Sequence, residues 1–109
     1  MFEEHDELSK RLGVWPEVGI GWLPLIKQLA DDIDALNIPY RVVQVKEKFG
    51  ELRFYFDCSV EGGYDQIEKL VDAATAESRR TCEVCGAPGK PRGGGWIRTL
   101  CDEHDRLQK

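Results

Sequence analysis

Two ligand pairs near the end of the chain, Cys82-Glu83-Val84-Cys85 and Cys101-Asp102-Glu103-His104, constrain this sequence more than any other feature. Residues 86–100 separate them. Two residues between cysteines let a tight turn aim both sulfurs at one point, and a Cys-x-x-His pair adds a third thiolate and an imidazole. That donor set at that spacing predicts a zinc ion held by Cys82, Cys85, Cys101 and His104. Gly86, directly after the first pair, permits the positive φ that such a knuckle needs. Positions 101 and 104 are i and i+3, and the polar run Asp105 to Lys109 continues them as the first turns of a helix, so both ligands share one helical face. Ligands drawn half from a knuckle and half from a helix start describe a treble-clef-like module. The alternatives are a disulfide or a redox Cys-x-x-Cys. No secretion signal supports the first, no βαβ pattern surrounds the second, and neither accounts for His104 at ligand spacing.

At 109 residues the chain is expected to be one domain with one core, residues 1–80 forming a body and residues 81–109 the zinc module. Its net charge of −5 is unevenly spread. Residues 1–78 carry 16 acidic and 8 basic side chains, whereas residues 79–109 carry 4 acidic and 7 basic ones. The basic end is also glycine-rich. A basic zinc module on an acidic body is a candidate surface for nucleic acid or for a macromolecular partner, with Arg79, Arg80, Lys90, Arg92, Trp96 and Arg98 as the contact residues. The other reading of those cations is a solvated face. The N-terminus lacks the basic, then apolar, pattern of a signal peptide, and no apolar run is long enough to span a membrane. A cytoplasmic protein is expected.

Along the chain, residues 1–12 suggest a short helix anchored by Phe2, Leu8 and Leu12, and Gly13 to Gly21 break it. From Trp22 a helical period sets in: Trp22, Leu25, Ile26, Leu29, Ile33 and Leu36 fall on one stripe. Pro24 suits a first turn, and Asn37 with Pro39 marks the stop. Asp31, Asp32 and Asp34 lie on the opposite face, which is solvated unless it docks on a basic partner. Tyr40 to Lys46 and Leu52 to Cys58 are strand-like; in the second, Leu52, Phe54 and Phe56 alternate with Arg53, Tyr55 and Asp57, so a hairpin is expected. A second helix follows from Tyr64 to Arg79, with Asp65 as its cap and Ile67, Leu70, Val71 and Ala74 as its stripe. The fold class is therefore α+β: a helix-strand-strand-helix layer with two helices on one face of an antiparallel sheet and the zinc module at its end.

The same order occurs in RNA-recognition folds, and Lys48-Phe49-Gly50-Glu51-Leu52-Arg53-Phe54-Tyr55 has their basic, glycine and aromatic ingredients. The register differs, because Phe49 precedes Gly50 and Glu51 follows it. Core packing with a polar outer face is the preferred account of these residues, over base stacking by Tyr55 and its neighbours.

Three stretches carry a resemblance. Val45-Lys46-Glu47-Lys48-Phe49-Gly50-Glu51-Leu52-Arg53-Phe54-Tyr55, Thr81-Cys82-Glu83-Val84-Cys85-Gly86-Ala87-Pro88-Gly89 and Gly93-Gly94-Gly95-Trp96-Ile97-Arg98-Thr99-Leu100-Cys101 resemble a family of small bacterial and phage proteins with no assigned activity. It spans residues 20–105. The resemblance implies the zinc ligands, a bacterial or viral cytoplasmic setting and an accessory role in mobile DNA.

Catalytic chemistry finds little support. His5 is the only histidine outside the ligand quartet, and a zinc with four protein ligands has no open position. Gly86-Ala87-Pro88-Gly89-Lys90-Pro91 is too short for a phosphate loop and lacks its Ser or Thr. Cys58, with no histidine placed to activate it, is expected to be a small buried hydrophobe. The expectation is a non-enzymatic zinc protein that binds nucleic acid through its zinc end, with no small-molecule substrate; the alternative is a protein-interaction module or inhibitor that docks its acidic helices on a basic partner that handles nucleic acid.

Overall fold

The apolar stripe beginning at Trp22 is helical where its period is unbroken: helix α2 runs Leu23–Asp34, with Pro24 in the first turn and Ile26, Leu29, Ala30 and Ile33 buried. Trp22 itself closes a 3-10 turn, Ile20–Trp22, just ahead of it. A computed structural model describes residues 2–107. Around α2 the order is α1 (Glu3–Leu12), β1 (Pro16–Glu17), then β2 (Arg41–Lys48), β3 (Glu51–Asp57), α3 (Gly63–Ser78), β4 (Lys90–Arg92), β5 (Arg98–Leu100) and α4 (Asp102–Leu107). The α+β layer expected from the periodicities is present, with a Cys and His cluster at its C-terminal end. The helix expected to reach Lys109 is seen as far as Leu107, the last two residues lying outside the described ones.

Strands β2 and β3 pair antiparallel, Val45 opposite Phe54 and Glu47 opposite Leu52, with a register shift between Val42 and Gln44. Two residues join them. Phe49 and Gly50 have φ of 56° and 76°, the left-handed pair of a type I′ turn, whose twist matches that of the strands it connects. Glycine meets that requirement freely, whereas a bulky residue such as Phe49 is held there at a cost. The Gly50 N–H donates to Glu47 Oε2 at 2.8 Å.

The sheet is not purely antiparallel. Pro16 and Glu17 lie parallel to Val45 and Lys46, giving the order β1-β2-β3 and leaving β3 as an open edge. Two residues between glycine-containing breaks offer no alternation to read, so this strand was invisible to pattern. Val42, Val45, Leu52, Phe54 and Phe56 cover one face of the sheet and pack with Ile26, Ile33, Ile67 and Val71 into the main core. Arg53 and Tyr55 alternate with them on the opposite face.

Two local expectations are corrected. Asp65 does not cap α3: Gly62, at φ 77°, takes the N-cap position without any side-chain hydrogen bond, because the chain turns through the left-handed region to enter the helix. Phe2 is not a core anchor of α1. It is 58% exposed and meets His5 and Trp15 edge-on, while His5 is buried with Leu8 and Leu12. The imidazole Nε2 of His5 donates to the Val18 carbonyl at 2.7 Å, and its ring stacks on Trp15.

Candidate metal centre

The knuckle forms where the sequence places it. Gly86 adopts φ 82° and its N–H donates to the Cys82 carbonyl at 2.8 Å, turning the chain so that Cys82 and Cys85 face the same point. Cys101 leaves β5 immediately before α4, and His104 lies in that helix's first turn, its N–H donating to Cys101 Sγ at 3.4 Å. His104 Nδ1 stands 3.2 Å from Cys101 Sγ and 3.7 Å from Cys82 Sγ; Cys85 Sγ stands 3.8 Å from Cys101 Sγ. All four ligand atoms lie within 4.8 Å of one another. Tetrahedral coordination, with metal–sulfur and metal–nitrogen bonds of about 2.3 and 2.0 Å, requires ligand–ligand edges of about 3.5–3.8 Å. Two of the edges, 3.7 and 3.8 Å, match that size, a third at 3.2 Å is shorter, and the four atoms together are close enough that the cluster could hold a metal ion. No disulfide joins these cysteines.

The electrostatics favour thiolate at Cys82. Burial pushes its thiol up, but N–H groups of Cys101, Cys85 and Val84 and the neighbouring Cys85 outweigh burial and bring it down to about 6. Cys85 is exposed; the Ala87 N–H pulls its thiol down, yet partial desolvation and the sulfurs of Cys82 and Cys101 leave it above its ordinary value. An ion binding there displaces those protons.

The centre is built into the body rather than appended to it. Gly19 and Gly21 lie directly against the knuckle: the Gly19 N–H donates to Glu83 Oε2 at 2.9 Å and the Gly21 N–H to the Glu83 carbonyl at 2.8 Å. The indole Nε1 of Trp22, wholly buried, donates to the Thr81 carbonyl at 2.8 Å. From β5, Thr99 Oγ1 donates to the Gly50 carbonyl of the β2–β3 turn at 2.6 Å, while within the body the Leu52 N–H donates to Ser78 Oγ at 3.0 Å. Glu83, Ser78 and Thr99 are buried polar residues with satisfied partners. Burial holds the Glu83 carboxyl above the usual range, opposed by the Gly19 N–H and by Arg98, whose guanidinium lies 3.7 Å away. Sequence reading missed Glu83, Gly19, Gly21, Trp22 and Thr99 as supports of the site. The signal for two of them was present in the Gly-x-Gly spacing ahead of Trp22.

The six residues named as contacts separate into kinds. Arg92 is an internal clamp: Nη2 meets Asp102 at 2.6 Å, Nη1 meets Asp105 at 3.0 Å, and Nε donates to the Leu100 carbonyl at 3.0 Å. Only 16% of its side chain is exposed. Arg98 is half-buried against Glu83. Arg80 pairs with Glu77 at 2.7 Å and Arg79 reaches Glu51 at 4.0 Å, both from the surface, and Lys90 is exposed. Trp96 is 79% exposed, so it does not shield the knuckle. It shares a cleft of about 230 Å³ with Lys48 and Phe49 of the β2–β3 hairpin and with Ile97. Phe49, which sequence reading did not single out as a contact, is 64% exposed, with the Lys48 ammonium 5.4 Å from its ring centroid. Cys58 stands apart from the cluster, its thiol donating to the Pro39 carbonyl at 3.5 Å. No helix among the described residues is long and apolar enough to cross a membrane.

No protein-family model, curated protein or solved structure matches this chain.

Proposed function

We propose that the three thiolates and one imidazole hold zinc in a treble-clef-like module, and that the chain is a non-catalytic protein that binds single-stranded nucleic acid across Trp96 and Phe49. A thiolate-rich donor set suits zinc, and four protein ligands would fill its tetrahedron, leaving no position for water or substrate. The observation that carries the nucleic-acid reading is the pair of exposed aromatics. Trp96, on the glycine-rich loop of the metal module, and Phe49, on the body hairpin, flank one cleft. Exposed rings of this kind are stacking platforms for bases, each worth roughly 1–3 kcal/mol. Lys48, Arg79, Arg80 and Lys90 supply surface cations for the phosphates, although Arg80 also pairs with Glu77; Arg92 does not belong to that footprint, because its guanidinium is largely buried between Asp102 and Asp105.

Docking of the Asp31, Asp32 and Asp34 face of α2 on a basic partner draws less support, since Arg11 already pairs with Asp31 at 2.6 Å and Asp34 at 2.9 Å. The family resemblance of the hairpin and knuckle stretches supports an accessory role in a bacterial or phage cytoplasm.

The test is fluorescence anisotropy of a labelled oligothymidylate with zinc-loaded protein at several salt concentrations. Binding should weaken with salt and fall about tenfold in Trp96→Ala, as the loss of one stacked base requires. No binding at low salt would overturn the nucleic-acid reading while leaving the zinc assignment standing.

A further inference from the structure

The open edge of the sheet faces a groove. Strand β3 has β2 on one side only, and the direction of its free side is given by Leu52, whose N–H points away from β2 to Ser78 Oγ. By strand alternation the N–H groups of Phe54 and Phe56 point the same way, and no hydrogen bond among the described residues takes them. A cavity of about 520 Å³ runs along this edge. Its lining takes in every residue from Glu51 to Asp57 and the exposed Val43 of β2, so it follows the strand's rim and reaches onto the outer face of the sheet. The far wall is one side of α3, presenting Tyr64, Glu68, Asp72 and Thr75 at helical spacing.

A strand edge beside a helix is the geometry in which an extended peptide adds as a further strand, main-chain bonds supplying affinity and the helix wall supplying selectivity. The wall here is acidic. Glu68 and Asp72 are one turn apart, and neither has an ion-pair partner among the described residues. A second copy of this chain is a poor occupant: antiparallel self-pairing of β3 about Phe54 would set Glu51 opposite Asp57 and bring two acidic α3 walls together.

We propose that the β3–α3 groove is a docking site for an extended basic peptide that pairs with β3 as a fourth strand and directs alternate Lys or Arg side chains at Glu68 and Asp72. The site is separate from the metal centre and from the Trp96 cleft, and it does not depend on nucleic-acid binding.

The test uses the zinc-loaded full chain and a labelled eight-residue peptide of alternating Thr and Lys, with two control peptides, one carrying Glu for Lys and one N-methylated at alternate amides. The Lys peptide should bind, shift the amide resonances of Phe54 and Phe56, and lose at least tenfold in affinity with either control and with Glu68→Lys/Asp72→Lys, a surface change whose folding is checked by its melting curve. Absence of binding at millimolar peptide would overturn the proposal. So would binding indifferent to N-methylation or to the charge reversal, because either result removes strand addition or the acidic wall. A concentration-dependent dimer that buries the Phe54 and Phe56 amides would assign the edge to a second copy instead.

Discussion

Gly21 lies against Glu83 so closely that its N–H donates to the Glu83 carbonyl at 2.8 Å, and a Cβ at position 21 would stand 2.7 Å from the Glu83 carbonyl carbon. The same Cβ would meet the Cys82 carbonyl oxygen and the Gly86 nitrogen. Backbone therefore touches backbone between the entry to α2 and the knuckle, with no side chain able to give way. Gly21→Ala should destabilise the chain by about 2–4 kcal/mol, at the upper end of small-to-large changes at packed sites. Chemical denaturation measures it, and a loss below about 0.5 kcal/mol would show that the two segments separate freely.

Metal removal should be felt in the body. Trp22 is wholly buried in the main core, yet its indole N–H bonds to Thr81, one residue ahead of the first ligand. A variant retaining only this tryptophan, Trp15→Phe/Trp96→Phe, should show red-shifted emission on chelation and a single melting transition moved to lower temperature. Two separate transitions, with the Trp22 emission unchanged in the first, would mean that residues 81–107 unfold alone. Cys101→Ser should reproduce the chelated state with zinc stoichiometry near zero, and Cys58→Ser should retain full stoichiometry.

What the sequence made legible was whatever repeats or pairs. The stripe of Ile26, Leu29 and Ile33, the alternation of Leu52, Phe54 and Phe56, and the cluster of Cys82, Cys85, Cys101 and His104 all announce themselves by spacing, and the fold brings each together as its spacing suggests. Single close contacts do not. Pro16 and Glu17 form a strand only because β2 runs beside them, and the module's basic composition concealed that Arg92 is folded inward onto Asp102 and Asp105. Charge counted along a chain cannot separate a clamp from a contact, because that difference lies in which carboxylates the fold brings within reach. Phe49 was hidden for a related reason: a hairpin was expected at 47–51, but only the two-residue turn fixes this ring in the left-handed region and turns it outward.

Arg92 ties β4 to the helix carrying His104. Arg92→Ala should hasten loss of zinc to a chelator by about tenfold, the scale of changes to groups that orient metal ligands. The hydrogen bond from Arg92 also holds the Asp102 carboxyl below its ordinary range. A depressed folded value means that this interaction is fully present above the unfolded aspartate pKa and is lost as pH falls through the folded one. Carboxyl NMR titration should accordingly find the Asp102 midpoint low in the native protein and higher, towards the ordinary value, in Arg92→Ala. An unchanged midpoint would remove Arg92 as its cause.

Phe49 sets stability against binding. Its φ of 56° costs a bulky side chain about 1 kcal/mol or more, and its 64% exposed ring returns little through burial. Asn at this position followed by Gly50 is the preferred pair for a type I′ turn. Phe49→Asn should raise stability by about 0.5–1 kcal/mol, after allowing for the lost contact with the Lys48 ammonium. If the ring is a stacking platform, the same substitution should weaken oligothymidylate binding several-fold, so the urea midpoint and the affinity move in opposite directions. Should stability rise with affinity unchanged, Phe49 would be excluded from the contact and the stacking surface would contract to Trp96. Should stability fall, the ring would have to contribute packing that outweighs the strain of its backbone.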